Sequence, residues 1–340
     1  MQMLLNKKVL VLDVTNMLFR VFHQSEYTHS ASKRVDESGD GLDHEYAPAN
    51  EAMSDEERII GLAIMMAFNK LAKYCRAYKP AKIIFAFDGR GNWRKTYTKS
   101  DLCVSRRPYK GTRRQNMTDK QQQSYETFKI FAADFEHMMR EHTSVVCLAG
   151  KGLEADDLVG GVCETCSEAS EIVIVSADRD MLQLLQYENV RVIDPSTDKP
   201  MNLAKWDNKP ELFMFEKCIR GDTGDNVMSA YPRVRQKKIW EAFEDPYKRA
   251  NMMNIMWKLA DPETEEEREV RVGDVFEENR LLMDLTQQPE YIRNRMFDII
   301  HESLENPGKY SSFHMRKFLS KYKLKELSRR LESYEPYLSK

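Results

Sequence analysis

The sequence predicts an α/β fold, a mostly parallel sheet flanked by helices and followed by a helical region. Three apolar runs that each end in an aspartate support this prediction: Lys8–Asp13, Lys82–Asp88 and Glu171–Asp178. Such runs are typical of buried strands, and the helical patterns between them are typical of parallel sheets covered on both faces. Because ligands bind outside the carboxyl ends of such strands, we expect the three terminal aspartates to meet in one site.

Further patterns predict the remaining elements in order. Shorter apolar runs predict strands at 145–148 and 189–194, and periodic patterns predict helices at 54–78, 119–142, 154–168 and 180–186. After about residue 215 only helical patterns follow, at 213–220, 236–243, 251–259, 277–285, 294–304 and 310–334. We therefore expect two domains, 1–215 and 216–340, with the second one helical. The polar segment 24–55 predicts an exposed insertion loop, and the acidic run 263–269 predicts a solvated helix start or loop.

Composition limits the class of protein. The chain has 340 residues, 41% hydrophobic and 31% charged, with a net charge of -2, which suits a soluble globular protein. The apolar stretch near the N-terminus is too short for a signal or membrane segment, so we expect a cytoplasmic monomer with no membrane partner. Cys163 and Cys166 form a lone C-x-x-C, which predicts reduced thiols rather than a zinc site.

Acidic side chains are concentrated in three turns. These turns are Glu154-Ala-Asp156-Asp157, Asp178-Arg-Asp180 and Asp222-Thr-Gly-Asp225-Asn226. Crowded carboxylates raise one another's pKa unless a cation lies between them, and hard divalent ions such as Mg²⁺ or Mn²⁺ prefer oxygen ligands. Each acid alone could instead cap a helix or close an Asx turn. Together with the strand-end aspartates, they favour a two-metal phosphoryl-transfer site.

The segment 90–114 is strongly basic with interleaved aromatic residues, which fits a nucleic-acid strand; a solvated charged helix is the alternative. A second basic patch follows the last acidic turn. The residues expected to contact nucleic acid are Arg90, Lys95, Arg106, Arg107, Tyr109, Arg113, Arg114, Arg233, Arg235, Lys237 and Lys238. The sequence contains no serine-nucleophile motif, phosphate loop or dinucleotide fingerprint.

The order of these motifs resembles the 5′-nuclease superfamily, which includes flap endonucleases, the 5′-nuclease domain of bacterial DNA polymerase I and phage 5′→3′ exonucleases of the RNase H type. The resemblance spans about residues 9–240. The matching motifs are Val11-Leu-Asp13, Phe87-Asp88, Trp93-Arg94, Tyr109-Lys110, Glu154-Ala-Asp156-Asp157, Ser176-Ala-Asp178-Arg-Asp180 and Gly221-Asp222-Thr-Gly-Asp225-Asn226. The resemblance implies a PIN-like sheet, a helical arch over 90–123 and a C-terminal helical domain that binds DNA.

The resemblance also implies a role for each site residue. Asp13, Asp88, Glu154 and Asp156 would hold a first Mg²⁺, and Asp157, Asp178, Asp180 and Asp225 would serve a second, with Asp222 nearby. Lys110 and Arg94 would contact the scissile phosphate from the base of the arch, with Arg113 as a third candidate. The segment 227–238 lacks the glycines of the family's helical hairpin, which argues against K⁺ binding there and leaves basic side chains to contact the duplex.

The implied function is a Mg²⁺-dependent 5′→3′ exonuclease and flap endonuclease that removes RNA primers in a phage replication system. Its substrates would be DNA with a 5′ flap or 5′ end and RNA–DNA hybrids, and a sliding clamp or a single-strand-binding protein is a candidate partner. Two alternatives stay open at this point: a metal-dependent RNA endonuclease of PIN type, and a catalytically dead, structure-specific DNA-binding protein.

Overall fold

The central sheet explains the position of the acidic residues. The computed structural model describes residues 7–38, 53–112, 117–261 and 267–339. The strands of the sheet are β1 (Lys7–Asp13), β2 (Lys82–Ala86), β3 (Val146–Leu148), β4 (Ser170–Val175), β5 (Val190–Asp194) and β6 (Lys199–Pro200). Their order is β3-β2-β1-β4-β5-β6, and all neighbouring pairs are parallel except β5 with β6. The predicted mostly parallel α/β sheet is therefore confirmed.

Helices connect the strands and continue to the end of the described chain. The α-helices are α1 (Val14–Ser38), α2 (Asp55–Tyr78), α3 (Trp93–Tyr97), α4 (Asp119–His142), α5 (Ala155–Cys166), α6 (Pro210–Arg220), α7 (Gln236–Glu244), α8 (Pro246–Met253), α9 (Val272–Met283), α10 (Glu290–Glu305), α11 (Ser312–Lys321), α12 (Lys325–Arg329) and α13 (Leu331–Leu338). Short 3-10 helices span Arg179–Gln186 and Ala204–Trp206. Of the helices in the described ranges, none combines the length and the apolar character needed to span a lipid bilayer.

Alternate residues of the central strand pack against different layers. Leu10 and Leu12 of β1 face a cluster that includes buried residues of α1, α2 and α4, whereas Val9 and Val11 face a cluster with buried residues of α5 and α10. This alternation follows from the two-residue period of a strand. Strand β1 is thus covered on both faces, which explains why its sequence is an unbroken apolar run.

The order in which the chain adds strands to the sheet changes side at β1. The chain places β2 on one side of β1 and β4 on the other, with Val11 opposite both Ile84 and Ile174. The connections that leave the carboxyl ends of β1 and β4 therefore diverge, and a crevice for a ligand is expected between them. Asp13 ends β1 at this crevice, and Asp178 follows β4 by three residues.

The predicted insertion loop at 24–55 is wrong over its first part. Residues 24–38 continue helix α1, and 39–52 lie outside the described residues. The polar side chains of this half of α1 bond to neighbouring helices: Ser124 of α4 donates to Glu26 at 2.6 Å, and His29 lies 3.2 Å from Asp55 of α2. Ser25 is fully buried and donates to the carbonyl of Phe22. Polar pairs with neighbouring helices therefore hold this half of α1, where the sequence has no apolar stripe.

The prediction of a purely helical region after residue 215 is also wrong. An antiparallel hairpin of β7 (Met256–Ala260) and β8 (Glu267–Arg271) interrupts it, so 251–259 is not one helix, and 267–269 of the acidic run lie in a strand. Leu259 and Val270 are buried while their neighbours Lys258 and Glu269 are exposed. The two-residue alternation that marks a strand is therefore present, but each strand is only five residues long. The pattern at 310–334 corresponds to three helices, α11 to α13, the last of which extends to Leu338.

The C-terminal helices form part of the main core. Ile292, Met296 and Ile300 of α10 pack on one face of the sheet, and Met315 and Leu319 of α11 belong to the cluster on the other face. The division at residue 215 stays a prediction, and the proposed boundary lies within α6. Removing the helices after α9 would expose apolar surface on both faces of the sheet.

Replacing Leu319 by Ala should therefore destabilise the whole protein. Leu319 is fully buried, so the lost packing and the cavity should lower the free energy of unfolding by about 2–5 kcal/mol. Phe313 lies on the same helix but is 70% exposed, and Phe313→Ala serves as the matched control with little expected effect. Urea denaturation followed by far-UV circular dichroism measures both. Equal small effects would show that α11 does not belong to the core.

Candidate metal and phosphate site

The acids at the strand ends lie close together, as the topology predicts. Asp13 is 4% exposed, and its two carboxylate oxygens accept hydrogen bonds from the amide of Asn16 at 3.2 Å and the hydroxyl of Ser176 at 3.0 Å. Burial raises the pKa of Asp13 to about 7, and the nearby Asp88 and Asp178 add to the rise. The raised pKa means that the ionised form of Asp13 is destabilised, and a nearby cation would stabilise that form.

Helix α5 brings its first turn to the same edge. Asp88 accepts a hydrogen bond from the amide of Ala155 at 2.9 Å, which fixes the loop after β2 against the start of α5. Asp156 is half-buried in that first turn, and burial, Asp13 and Asp178 raise its pKa well above the ordinary range. Among the described residues, we find no hydrogen bond or ion pair to the Asp156 carboxylate. Asp156 is therefore the acid at the centre of the cluster, repelled by its neighbours and held by no donor.

Two lysines bridge the acids of the strand edge to those of the 222–226 turn. The ammonium of Lys110 lies 2.5 Å from Glu154 and 3.8 Å from Asp225. Burial tends to lower the pKa of Lys110, but Glu154 and Asp225 outweigh it, so the net shift is upward and the side chain stays charged. Lys217 of α6 pairs with Asp180 and lies 3.5 Å from Asp222.

Sequence reasoning missed Lys217. Helix α6 was predicted, but nothing in its periodicity distinguishes a lysine in the site from one in solvent. One signal was present: Lys217 follows the buried Phe213 by four residues, so it lies on the inward side of the helix. A lysine on an inward helix face five residues before an aspartate-rich turn is a candidate partner for that turn.

The structure gives Arg94 and Asp157 a different role from the predicted one. Arg94 is 2% exposed and binds both carboxylate oxygens of Asp157, at 2.7 and 3.0 Å. Its Nε donates to the carbonyl of Leu282 at 2.7 Å, and the guanidinium also reaches Glu154 at 3.2 Å. A guanidinium bound in this way cannot contact a scissile phosphate unless these bonds break, so the predicted phosphate role of Arg94 is wrong for this structure.

Asp157 has no oxygen left for a metal ion. One carboxylate oxygen accepts from Arg94 and from Gln288 at 3.2 Å, and the other accepts from Arg94 and from the amide of Glu154 at 3.0 Å. Although burial raises the pKa of Asp157, the bidentate Arg94 outweighs burial and lowers the pKa below the ordinary value. Its assignment to the second metal is therefore corrected: Asp157 positions α5 against α3.

Part of the basic segment packs on the body of the protein. Its described residues contain the short helix α3 and turns, and Cys103 and Ser105 are buried, with the amides of Val104 and Ser105 donating to Glu278 of α9. These contacts hold 103–105 on the body of the protein, and the helical arch over 90–123 stays a prediction. Residues 113–116, which include Arg113 and Arg114, lie outside the described residues.

Tyr109 is not placed to stack on a base. Its ring is 5% exposed, and its hydroxyl donates to Asp225 at 2.7 Å and lies 3.2 Å from Glu154. Of the other residues predicted to contact nucleic acid, Arg107 is half-buried. The exposed ones are Arg90, Lys95, Arg106, Arg233, Arg235, Lys237 and Lys238.

The acids do not form a preassembled metal cage. Across the part of the chain that the structure describes, no three His, Cys, Asp or Glu side chains are arranged to hold a metal ion. Lys110, Lys217 and Arg94 instead pair with carboxylate oxygens at this edge. The donor set nevertheless suits a hard divalent ion, since carboxylate oxygens dominate it and no residue of the described ranges forms a hydrogen bond to the Asp156 carboxylate.

A mostly parallel sheet with acids and lysines at its carboxyl edge defines an α/β protein with a carboxylate-rich site. Residues 8–211 match the family described as "5'-3' exonuclease, N-terminal resolvase-like domain", and the chain belongs to this family. The resemblance to the 5′-nuclease superfamily is thus confirmed.

Individual relatives agree with this family. The chain is 30% identical over 175 residues to a 5'-3' exonuclease of Mycoplasmopsis pulmonis. The aligned region covers 48% of this chain and 51% of the relative. It is 26% identical over 172 residues to ribonuclease H of Enterobacteria phage T4, covering 49% of this chain and 55% of the relative. The chain therefore spans about half the length of the curated relatives it matches.

Solved structures share the fold. A bacteriophage T5 flap endonuclease, in a pseudo-enzyme–product complex with DNA and metal ions, superposes with a TM-score of 0.58 at 15% identity, covering 88% of this chain and all of the other. A T5 5'-exonuclease with bound zinc gives a TM-score of 0.58 at 15% identity, covering 87% of this chain and all of the other.

The Arg94–Asp157 pair should be a stability determinant. Arg94→Met leaves the Asp157 carboxylate buried without its cation, and we expect the free energy of unfolding to fall by about 3–5 kcal/mol. The double variant R94M/D157L removes both charges and should recover most of that loss. Urea denaturation of the three proteins measures the effect. A stable Arg94→Met variant that loses only DNA affinity would return Arg94 to the role of phosphate contact.

Proposed function

We propose that the protein is a divalent-metal-dependent 5′→3′ exonuclease and flap endonuclease that hydrolyses phosphodiesters in DNA and in RNA–DNA hybrids. The observation that carries the proposal is the convergence of Asp13, Asp156 and Asp178 at one edge of the sheet, where burial and the neighbouring acids raise the pKa of Asp13 and of Asp156. Family membership supports the same reaction class.

The residues present fit divalent cations. Asp13, Asp88, Glu154 and Asp156 would hold one ion, and Asp178, Asp180, Asp225 and Asp222 would serve the other. Asp157 is excluded from this set because its oxygens are occupied by Arg94 and Gln288. Bound ions would activate the attacking water and stabilise the leaving oxygen. We propose Mg²⁺ as the natural ion, with Mn²⁺ able to replace it.

Lys110 is the side chain best placed to bind the reacting phosphate. Its ammonium is charged, lies between Glu154 and Asp225, and retains 16% exposure of the side chain. A cation here offsets the charge that grows on the phosphoryl oxygens as the bond to the attacking oxygen forms. The left-handed backbone at Lys110, with φ of 54°, and the bond from its amide to the carbonyl of Asp225 at 2.8 Å fix the side chain at the turn.

Duplex binding is proposed for the exposed basic patch at 233–238. Arg233 has a φ of 59°, in the left-handed turn just before α7, and Lys237 has 88% of its side chain exposed. Lys238 lies over the ring of Tyr231, 5.0 Å from its centroid. Exposed cations at the start of a helix can contact successive phosphates.

We propose that the protein uses this nuclease activity to remove RNA primers during DNA replication in a phage. A sliding clamp or a single-strand-binding protein would be its partner.

Cleavage assays test the central proposal. A 5′-labelled flap duplex and an RNA–DNA hybrid should be cut in Mg²⁺ and not in EDTA, and Asp156→Asn should slow single-turnover cleavage at least about a hundredfold. Asp207 is exposed in a turn with φ of 52°, a conformation that asparagine tolerates, so Asp207→Asn is the matched control with unchanged cleavage. Cleavage that resists EDTA, or full turnover by Asp156→Asn, would refute the metal-dependent mechanism. Cutting restricted to single-stranded RNA would favour the PIN-type alternative.

The basic patch predicts a salt-dependent binding defect. Replacing Arg233 and Lys237 together by neutral side chains should weaken binding of a flap duplex. The slope of log Kd against log salt should fall by about 2, since each phosphate contact contributes about 0.9. Fluorescence anisotropy in Ca²⁺ or EDTA measures this without cleavage. Lys317→Ala, an exposed lysine on α11, is the control. An unchanged slope in the double variant would place the duplex elsewhere.

A further inference from the structure

Lys217 occupies an unusual position for a lysine. Its side chain is 11% exposed, and its ammonium pairs with Asp180 and lies 3.5 Å from Asp222. Asp178 is also close enough to act on it. The ammonium therefore sits among three carboxylates that come from two parts of the chain, the turn after β4 and the turn after α6.

The two oxygens of Asp222 have different partners. Oδ1 accepts from the amides of Gly224 at 2.8 Å and Asp225 at 3.2 Å, so it closes the turn. Oδ2 is the oxygen that faces Lys217. The turn itself is fixed, because Asp222 and Val227 exchange backbone hydrogen bonds at 2.8 Å and Gly221 has a φ of 70°. Asp222 thus has both roles: one oxygen forms the turn and the other remains for a cation.

We propose that Lys217 is an internal counter-cation of the Asp178, Asp180 and Asp222 subsite, and that a divalent ion binding there must displace the Lys217 ammonium. This inference rests on the proposed function, since it concerns one of the two cation subsites. A single positive charge only partly neutralises three carboxylates, so the subsite still attracts a divalent ion. The ion competes with the ammonium, and its apparent affinity is the intrinsic affinity multiplied by the fraction of molecules in which Lys217 has left the carboxylates.

Lys217 already pairs with one acid of this subsite. No preassembled cage is found among the described acids, although their chemistry suits Mg²⁺, and in this subsite Lys217 pairs with Asp180. A merely structural lysine would stabilise the protein equally with and without metal. A competing lysine stabilises only the metal-free form, and its removal should make metal binding tighter.

Manganese binding to Lys217→Met tests this inference. Titration followed by the electron paramagnetic resonance signal of free Mn²⁺ should show that one site binds at least about tenfold more tightly in Lys217→Met than in the wild type. The thermal midpoint of the variant should be lower in EDTA, and its gain on adding Mn²⁺ should be larger. Lys209 precedes α6 and pairs with the exposed Glu244 at 2.6 Å, so Lys209→Met is the matched control with wild-type affinity.

Failure of the counter-cation role and failure of the proposed function give different results. Equal or weaker Mn²⁺ binding by Lys217→Met would overturn the counter-cation role, whereas a wild-type protein that binds no Mn²⁺ and cuts no flap would overturn the proposed function instead. If Lys217→Met does not fold, reductive methylation of the wild type followed by peptide mass spectrometry decides. Labelling of Lys217 should rise at saturating Mn²⁺ relative to EDTA, with Lys209 as the internal reference, and an unchanged ratio would overturn the inference.

Discussion

Repulsion among carboxylates at the carboxyl edge of the sheet is the constraint on which the rest of the site depends. Asp13 and Asp156 have raised pKa values because burial removes water and neighbouring acids oppose their ionisation. A fold that places such groups together must balance their charge. In this protein three internal cations do so: Arg94 at Asp157, Lys110 at Glu154 and Asp225, and Lys217 at Asp180 and Asp222.

The three cationic side chains differ in how tightly the protein holds them. Arg94 is almost fully buried, and its guanidinium is bound by two acids and a carbonyl, so it fixes the architecture. Lys110 and Lys217 are slightly more exposed, with flexible stems, and each joins an acid of the sheet edge to an acid of the turn after α6. Lysine is suited to such a role because a point charge on a flexible chain can leave its partner, whereas a bidentate arginine loses several bonds at once. The site therefore combines one buried bidentate ion pair with two more exposed lysine pairs, and these two are the ones that we propose substrate and metal replace.

The sequence predicted the sheet and the meeting of its acids because both follow from local pattern and general topology. An apolar run ending in aspartate indicates a buried strand, and parallel strands bring their carboxyl ends together. Helix α4 was predicted with its observed bounds from its periodic pattern, and the structure shows that Thr118 and Gln121 form a capping box at its start. The roles of Arg94, Asp157 and Tyr109 were not predicted, since adjacency in a motif does not reveal which acid meets a buried cation. Lys217 was missed for the same reason, as its partners lie in turns that only the tertiary fold brings to it. The β7–β8 hairpin was missed because five-residue strands leave little period to detect.

The central claim is that these carboxylates bind divalent cations, and crystallography with Mn²⁺ tests it most directly. Crystals soaked in Mn²⁺ should show anomalous difference density at two positions, one bounded by Asp13 and Asp156 and the other by Asp178, Asp180 and Asp222, with the Lys217 ammonium moved away from Asp180. Absence of anomalous density at this edge of the sheet, with Lys110 and Lys217 still bound to their acids at saturating Mn²⁺, would contradict the account.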